Sequence, residues 1–380
     1  MIYADNAATT KMSKTAIKAM LPFFDTLYGN PGSPHEAGRL AQEALWHARE
    51  EIAAVLHCSA KQIYFTSGGS ESDNQALFSA ASIGERLGRR HIISTAIEHP
   101  AVLRPLERLK KQGFDIELLP AHADGIVRPA ELSAALRPDT ALVSVMYANN
   151  EIGTIQPIRE IGEICRERNV LFHTDAVQAA GQLDIDIERD CIDLLSLSAH
   201  KFHGPKGIGV LYAGKNVPLK SLILGGEQER GRRAGTENVA SIAGMAAALR
   251  EAHASLERTQ AHLISLRDRL FSGLLRIPGS QANGSLSQRL PGNVNISIEG
   301  IEAEALLILL SERGICASSG SACASGSLEP SHVLLALGLS PALARSSLRL
   351  TLSDDNTAEE IDLIIRAVTE CTGILRGTSD

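Results

Sequence analysis

A chain of 380 residues, 44% hydrophobic and 21% charged, has an ordinary globular composition and length enough for about two domains. Its formal net charge of -7 argues against a nucleic-acid surface or an anionic membrane as the main partner, and the short basic clusters ERGRRAG (229–235) and GERLGRR (84–90) read as solvated surface. The N-terminal MIYADNAATT lacks the order of a secretory leader, ALLILL (305–310) is far short of a membrane span, and the six cysteines show neither a CxxC pair nor zinc-finger spacing, so a reduced, cytoplasmic setting is expected.

In chain order, QIYFTS (62–67), HIISTA (91–96), DIELLP (115–120), ALVSVMYA (141–148), VLFHTDA (170–176), LLSLSA (194–199) and GIGVLYA (207–213) read as strands. Amphipathic stretches such as HPAVLRPLERLKKQG and IREIGEICRERN lie between several of them. Continuous apolar strands alternating with helices predict an α/β domain, with a large, mainly parallel sheet covered by helices on both faces. From about 238 to 276 the pattern turns helical; NVNISI (293–298) and a helix near 302–313 then indicate a smaller α+β domain. We place the large domain at 15–255 and the small one at 1–14 and 256–380.

Ligands of such sheets collect at the carboxyl ends of the strands. That rule singles out SGGSESDN, EHP, NNE, DAVQ and HKFHGPKG, each of which follows a strand. In TSGGSESDN (66–74) a strand runs into a glycine-rich helix start, where backbone N–H groups suit a phosphate; an ordinary capped turn is the alternative. Asp175, at a strand end, either caps a helix or holds a pyridinium nitrogen protonated. Lys201 directly follows a strand of small and apolar residues, where desolvation would lower its pKa as Schiff-base chemistry requires. Lys206, past a turn signal, reads as exposed. A phosphate cradle, a strand-end Asp and a strand-end Lys together are what pyridoxal phosphate needs. In GICASSGSACASGS (314–327), Cys323 lies among residues too small and polar to anchor it in a core, and reads as an accessible nucleophile; Cys316 reads as structural.

With these pieces assembled, the sequence resembles the cysteine desulfurases of the class V, fold-type I pyridoxal-phosphate superfamily. The resemblance runs from YADNAATT through NNEIGTIQPI, DAVQ, SLSAHKFHGPKGIG and RRAGTEN to SSGSACASGSLEPSHVL, and the last segment is most similar to the nitrogenase-associated NifS branch. It implies that Lys201 carries the cofactor, that Asp175 pairs with its ring nitrogen and Gln178 with its phenolic oxygen, and that His99 stacks on the ring and shuttles protons as a catalytic residue. It further implies that Gly69, Ser70, Ser198 and His200 hold the phosphate, joined by Thr236 of a neighbouring subunit in a homodimer. Asn149 and Arg349 would clamp the substrate carboxylate, and Cys323 would take sulfur from L-cysteine as a persulfide, leaving L-alanine. The implied partners are L-cysteine and an iron–sulfur scaffold or other sulfur acceptor. No metal of its own is implied, beyond contact of Cys323 with a nascent cluster. Another class V enzyme, such as a selenocysteine lyase or an aminotransferase, would keep Lys201 and Asp175 but not depend on Cys323; a pure sulfur-carrier scaffold would need Cys323 but bind no chromophore.

Overall fold

The computed structural model describes residues 1–320 and 329–377. In chain order its strands are β1 (Ile2–Tyr3), β2 (Ile63–Thr66), β3 (His91–Thr95), β4 (Asp115–Leu119), β5 (Thr140–Ser144), β6 (Leu171–Asp175), β7 (Leu194–Ser198), β8 (Gly209–Ala213), β9 (Ser280–Ala282), β10 (Asn293–Ile298), β11 (Ile315–Cys316) and β12 (Ser347–Thr351). A seven-stranded sheet runs in the order β2-β8-β7-β6-β5-β3-β4. Its strands are parallel except β8, which runs against both β2 and β7.

Successive side chains of a strand point to opposite faces, and here both faces are apolar. Ile92, Leu142, Leu194 and Leu211 pack with Leu77, Ala80, Val102 and Leu106, from the helices Gly69–Arg86 and Pro100–Lys111. Their neighbours Ile93, Val143, Leu195 and Val210 pack on the other side, with Leu45, Ile161 and Met245 from the helices Glu36–Val55, Ile158–Glu167 and Val239–Ala254. The continuous apolar strands of the sequence follow from this double burial.

Beyond Ser255 a second core begins. The helices Leu256–Leu274, Ala303–Glu312 and Ala358–Arg376 cover an antiparallel sheet of order β12-β10-β9. β1 pairs in parallel with β11, so Ala4 and Ile315 lie in this second core although they come from distant parts of the chain.

Three local readings change. The strand expected over 141–148 ends at Ser144, because the Met146 N–H turns to Glu98 Oε1 instead of a neighbouring strand. β12, which carries Arg349, is a strand that no local sequence pattern marks. Cys316 is half-buried in β11 rather than enclosed in a core.

Candidate active site

The carboxyl ends of β2, β3, β5, β6 and β7 converge on one edge of the large sheet. After β2 the chain turns through Gly68 into the helix Gly69–Arg86, whose first turn receives no side-chain cap. Gly68 has φ 152, a backbone conformation that side chains with a Cβ rarely adopt. The neighbouring backbone also leaves no room: a Cβ on Gly209 would stand 2.7 Å from Gly68 Cα, and one on Gly69 would stand 2.7 Å from Val177 Cγ2. The helix start is thereby pressed against β8 and the segment after β6, near Ser198 at the end of β7. Ser70 is exposed at the mouth of this cradle. Uncapped N–H groups at a helix start, with Ser198 alongside, form a site suited to a dianionic phosphate.

Asp175 closes β6. Its Oδ1 accepts the Val177 N–H at 2.9 Å, and the side chain is buried. Burial raises its pKa, while His99, the Val177 N–H and Lys201 pull it back down. His99 caps the helix Pro100–Lys111 by accepting the Ala101 N–H at Nδ1 (3.1 Å), which puts the proton of the neutral ring on Nε2. His200 sits in the short turn between Ser198 and Lys201, and burial, Lys201 and Lys206 push its pKa down to about 4, so the ring is neutral at physiological pH. Lys206 itself is exposed.

A segment that motif reading did not assign to the site runs across it. The carbonyls of Ala7 and Ala8 accept from Lys201 Nζ, the latter at 2.9 Å, and Ala7 O also accepts from Gln178 Nε2 at 3.0 Å. Thr9 Oγ1 lies 3.2 Å from His200 Nδ1, and the Thr10 N–H donates to the His200 carbonyl at 2.9 Å. On its other side the segment is tied to β12: Asn6 Nδ2 donates to Thr351 O, and the Ala7 N–H donates to Thr351 Oγ1. YADNAATT is therefore a strap between the lysine and β12.

Arg349 is central in β12 and almost fully buried. Its guanidinium donates to Asn150 O at 3.1 Å and to Asp5 Oδ1 at 2.9 Å, and Nε is buried without a hydrogen-bond partner among the described residues. Asn149 is also brought to this edge, but its amide faces the loop. Nδ2 donates to Ile97 O and Oδ1 accepts the N–H groups of Glu151 and Ile152. Its observed role is to shape the NNE turn, and the unpartnered donor is on Arg349. Thr236 is exposed, three residues past Arg233, whose guanidinium pairs with Glu71 in the first turn of the helix Gly69–Arg86. Cys323 lies outside the described residues.

Three further carboxyls line the site. Glu98 is fully buried; Oε1 accepts from Thr95 Oγ1 and from the Met146 N–H, Oε2 has no partner among the described residues, and burial pushes its pKa up to about 8. Asp73 lies behind Asp175, and burial and the Asp175 charge hold it well above the carboxylate range. Glu151 accepts from Ser331 Oγ and is pushed up to about 7 by burial, against the pull of Ser331, Arg349 and His99. The strand-following motifs SGGSESDN, EHP and NNE contain Asp73, Glu98 and Glu151, but nothing in the sequence shows that these acids are enclosed. Burial holds the Asp73 carboxyl above its ordinary range and pushes Glu98 up to about 8, whereas at Asp175 the pull of His99, the Val177 N–H and Lys201 opposes the effect of burial and favours the charged form. An uncapped helix start, Ser198, a buried strand-end carboxylate and a strand-end lysine are a donor set that fits pyridoxal phosphate.

Among the described residues, no group of three or more His, Cys, Asp or Glu side chains could hold a metal ion, and no helix is long and apolar enough to cross a membrane.

Comparison with known proteins identifies the family. The chain is 50% identical over 378 residues to "Cysteine desulfurase IscS" of Methanosarcina thermophila, covering 100% of this chain and 93% of that one. It is 45% identical over 380 residues to "Cysteine desulfurase" of a Nostoc species, covering 100% and 94%. A solved "NIFS-LIKE PROTEIN" superposes with a TM-score of 0.92 at 39% identity, covering 98% of this chain and 99% of that one. The model of the class-V aminotransferase family, whose members depend on pyridoxal phosphate, matches residues 2–364, and the chain belongs to that family.

Proposed function

We infer that this protein is a pyridoxal-phosphate-dependent cysteine desulfurase that converts L-cysteine to L-alanine and takes the sulfur onto Cys323 as a persulfide. The observation that carries the reading is the convergence of Lys201, Asp175 and the uncapped start of the helix Gly69–Arg86 at one sheet edge, in a chain similar over its whole length to cysteine desulfurases.

Bound pyridoxal phosphate supplies an electron sink that acidifies the substrate Cα and weakens its Cβ–S bond. The chain's residues do the rest. Ser198, His200, Gly69 and Ser70 would hold the phosphate, with Thr236 of a partner subunit completing the cradle in a homodimer. Asp175 would pair with the ring nitrogen, His99 would pack on the ring, and Gln178 would bond the phenolic oxygen. Lys201 would carry the cofactor, and its amine would serve as the general base toward the substrate Cα proton, with the Ala7 and Ala8 carbonyls within reach of its Nζ. Arg349 binds the substrate carboxylate through a charge-assisted contact, and Asn149 serves it by fixing the NNE turn beside it. The Cys323 thiolate forms an S–S bond to the substrate sulfur while the Cβ–S bond breaks. That electron pair stays with carbon, which takes up protons to become alanine, so no external oxidant is needed.

An iron–sulfur scaffold is the acceptor class we assign to the persulfide. A cytoplasmic location and a role in nitrogenase maturation belong to the same reading, the latter resting on the likeness of SSGSACASGS to the NifS branch. The decisive experiment is intact-protein mass spectrometry after L-cysteine is added without reductant to wild type and to Cys323→Ser. One added sulfur on wild type and none on the variant is expected. No added sulfur on cofactor-loaded wild type would refute the reaction.

A further inference from the structure

Arg349 has more donors than the fold uses. Its guanidinium is almost fully buried, yet Nε–H has no partner among the described residues. A buried, unsatisfied donor on a cation is costly, so the arrangement marks a position awaiting an acceptor. What keeps the donor aimed is the pair of bonds on the terminal nitrogens: one to the Asn150 carbonyl, the other to Asp5 Oδ1. Because the guanidinium is planar and rigid, fixing both terminal nitrogens fixes the direction of Nε–H. Asp5 is itself held in place, since its backbone bridges to Thr351, Tyr3 OH donates to its carbonyl, and the next residue bonds the Thr351 carbonyl.

We propose that Asp5 is a positioning residue for substrate recognition: its carboxylate orients Arg349 so that the vacant Nε–H meets the α-carboxylate of an amino-acid substrate. The proposal rests on the reading of Arg349 as the carboxylate clamp, and it adds a residue to which neither strand-end position nor motif chemistry points. It also explains why a second anion can enter. The Arg349–Asp5 pair uses only some of the five N–H donors, and Glu151, the other acid acting on Arg349, has its pKa raised by burial.

The test measures binding separately from turnover. L-alanine and ethylamine, which differ by the carboxylate, are titrated into cofactor-loaded wild type, Asp5→Ala and Asp5→Asn, and Kd is read from the cofactor absorbance. Asp5→Ala should weaken L-alanine about tenfold and leave ethylamine within twofold, whereas Asp5→Asn, which keeps an acceptor oxygen, should restore L-alanine to within about threefold of wild type. An unchanged L-alanine Kd in Asp5→Ala, or equal weakening of both ligands, overturns the proposal. Urea unfolding of each variant establishes that the proteins compared are folded. Wild type that binds L-alanine but releases no sulfur from L-cysteine would defeat the desulfurase reading alone, and the comparison of the two ligands would still decide the role of Asp5.

Discussion

Glu98 offers a prediction whose size follows from its surroundings. Its carboxyl is fully enclosed, one oxygen is unpartnered among the described residues, and burial moves its pKa from 4.5 to about 8. Between those two pH values the folded chain keeps a proton that the unfolded chain has lost. The contribution of Glu98 is therefore fully present below pH 4.5 and is lost as pH rises through 8. At about 1.4 kcal/mol per pH unit, the whole window from 4.5 to about 8 corresponds to roughly 5 kcal/mol. Glu98→Gln keeps an oxygen for Thr95 and Met146 but cannot ionise. Relative to wild type, the variant should gain little at pH 4.5 and progressively more up to pH 8, with a plateau above it. Urea unfolding of both proteins at pH 5, 6, 7 and 8 reads the difference directly. A difference that stays flat across this range would refute the reasoning, since it would mean that Glu98 has the same proton affinity folded and unfolded.

Two more expectations concern the site. Arg349→Lys replaces a planar fork with a point charge and should lower kcat/KM for L-cysteine by about 100-fold, the equivalent of about 3 kcal/mol of charge-assisted hydrogen bonding; steady-state kinetics within fivefold of wild type would contradict the clamp. Gly68→Ala meets nothing closer than Ser198 Oγ at 3.8 Å but must adopt φ 152. It should cost roughly 1–2 kcal/mol and weaken pyridoxal phosphate binding, measured by urea unfolding and by spectral titration of the cofactor; a neutral substitution would show that the turn relaxes freely.

What the sequence made legible is what local pattern controls. Each of Asp175, Ser198 and Lys201 follows or closes an apolar strand, and the rule that parallel sheets bind ligands at their carboxyl ends was enough to collect them. The sequence hid features that depend on distant contacts. β12 escaped notice because SLRLT is buried throughout and its arginine interrupts any apolar run. The strap at 5–10 has no periodicity, being a string of small and polar residues whose partners are Gln178, Lys201 and Thr351. Glu98 and Asp73 look like ordinary helix-boundary and helix-surface acids; only the packing around them shows that they are enclosed. The change at Asn149 has the same origin, since its amide is taken by backbone groups on Ile97, Glu151 and Ile152.

The strap also bears on the order of assembly. Residues 5–10 precede the large sheet in the chain, yet they settle against Lys201 and against β12, whose Thr351 pairs with Asp5. A chain emerging from the ribosome can complete most of the seven-stranded sheet, with its phosphate cradle and lysine, long before β12 exists. Contacts of such wide sequence separation close late and slowly. Until they close, Lys201 Nζ lacks the carbonyls of Ala7 and Ala8 and β12, with Arg349, is not in place, so the site is assembled only when both ends of the chain meet.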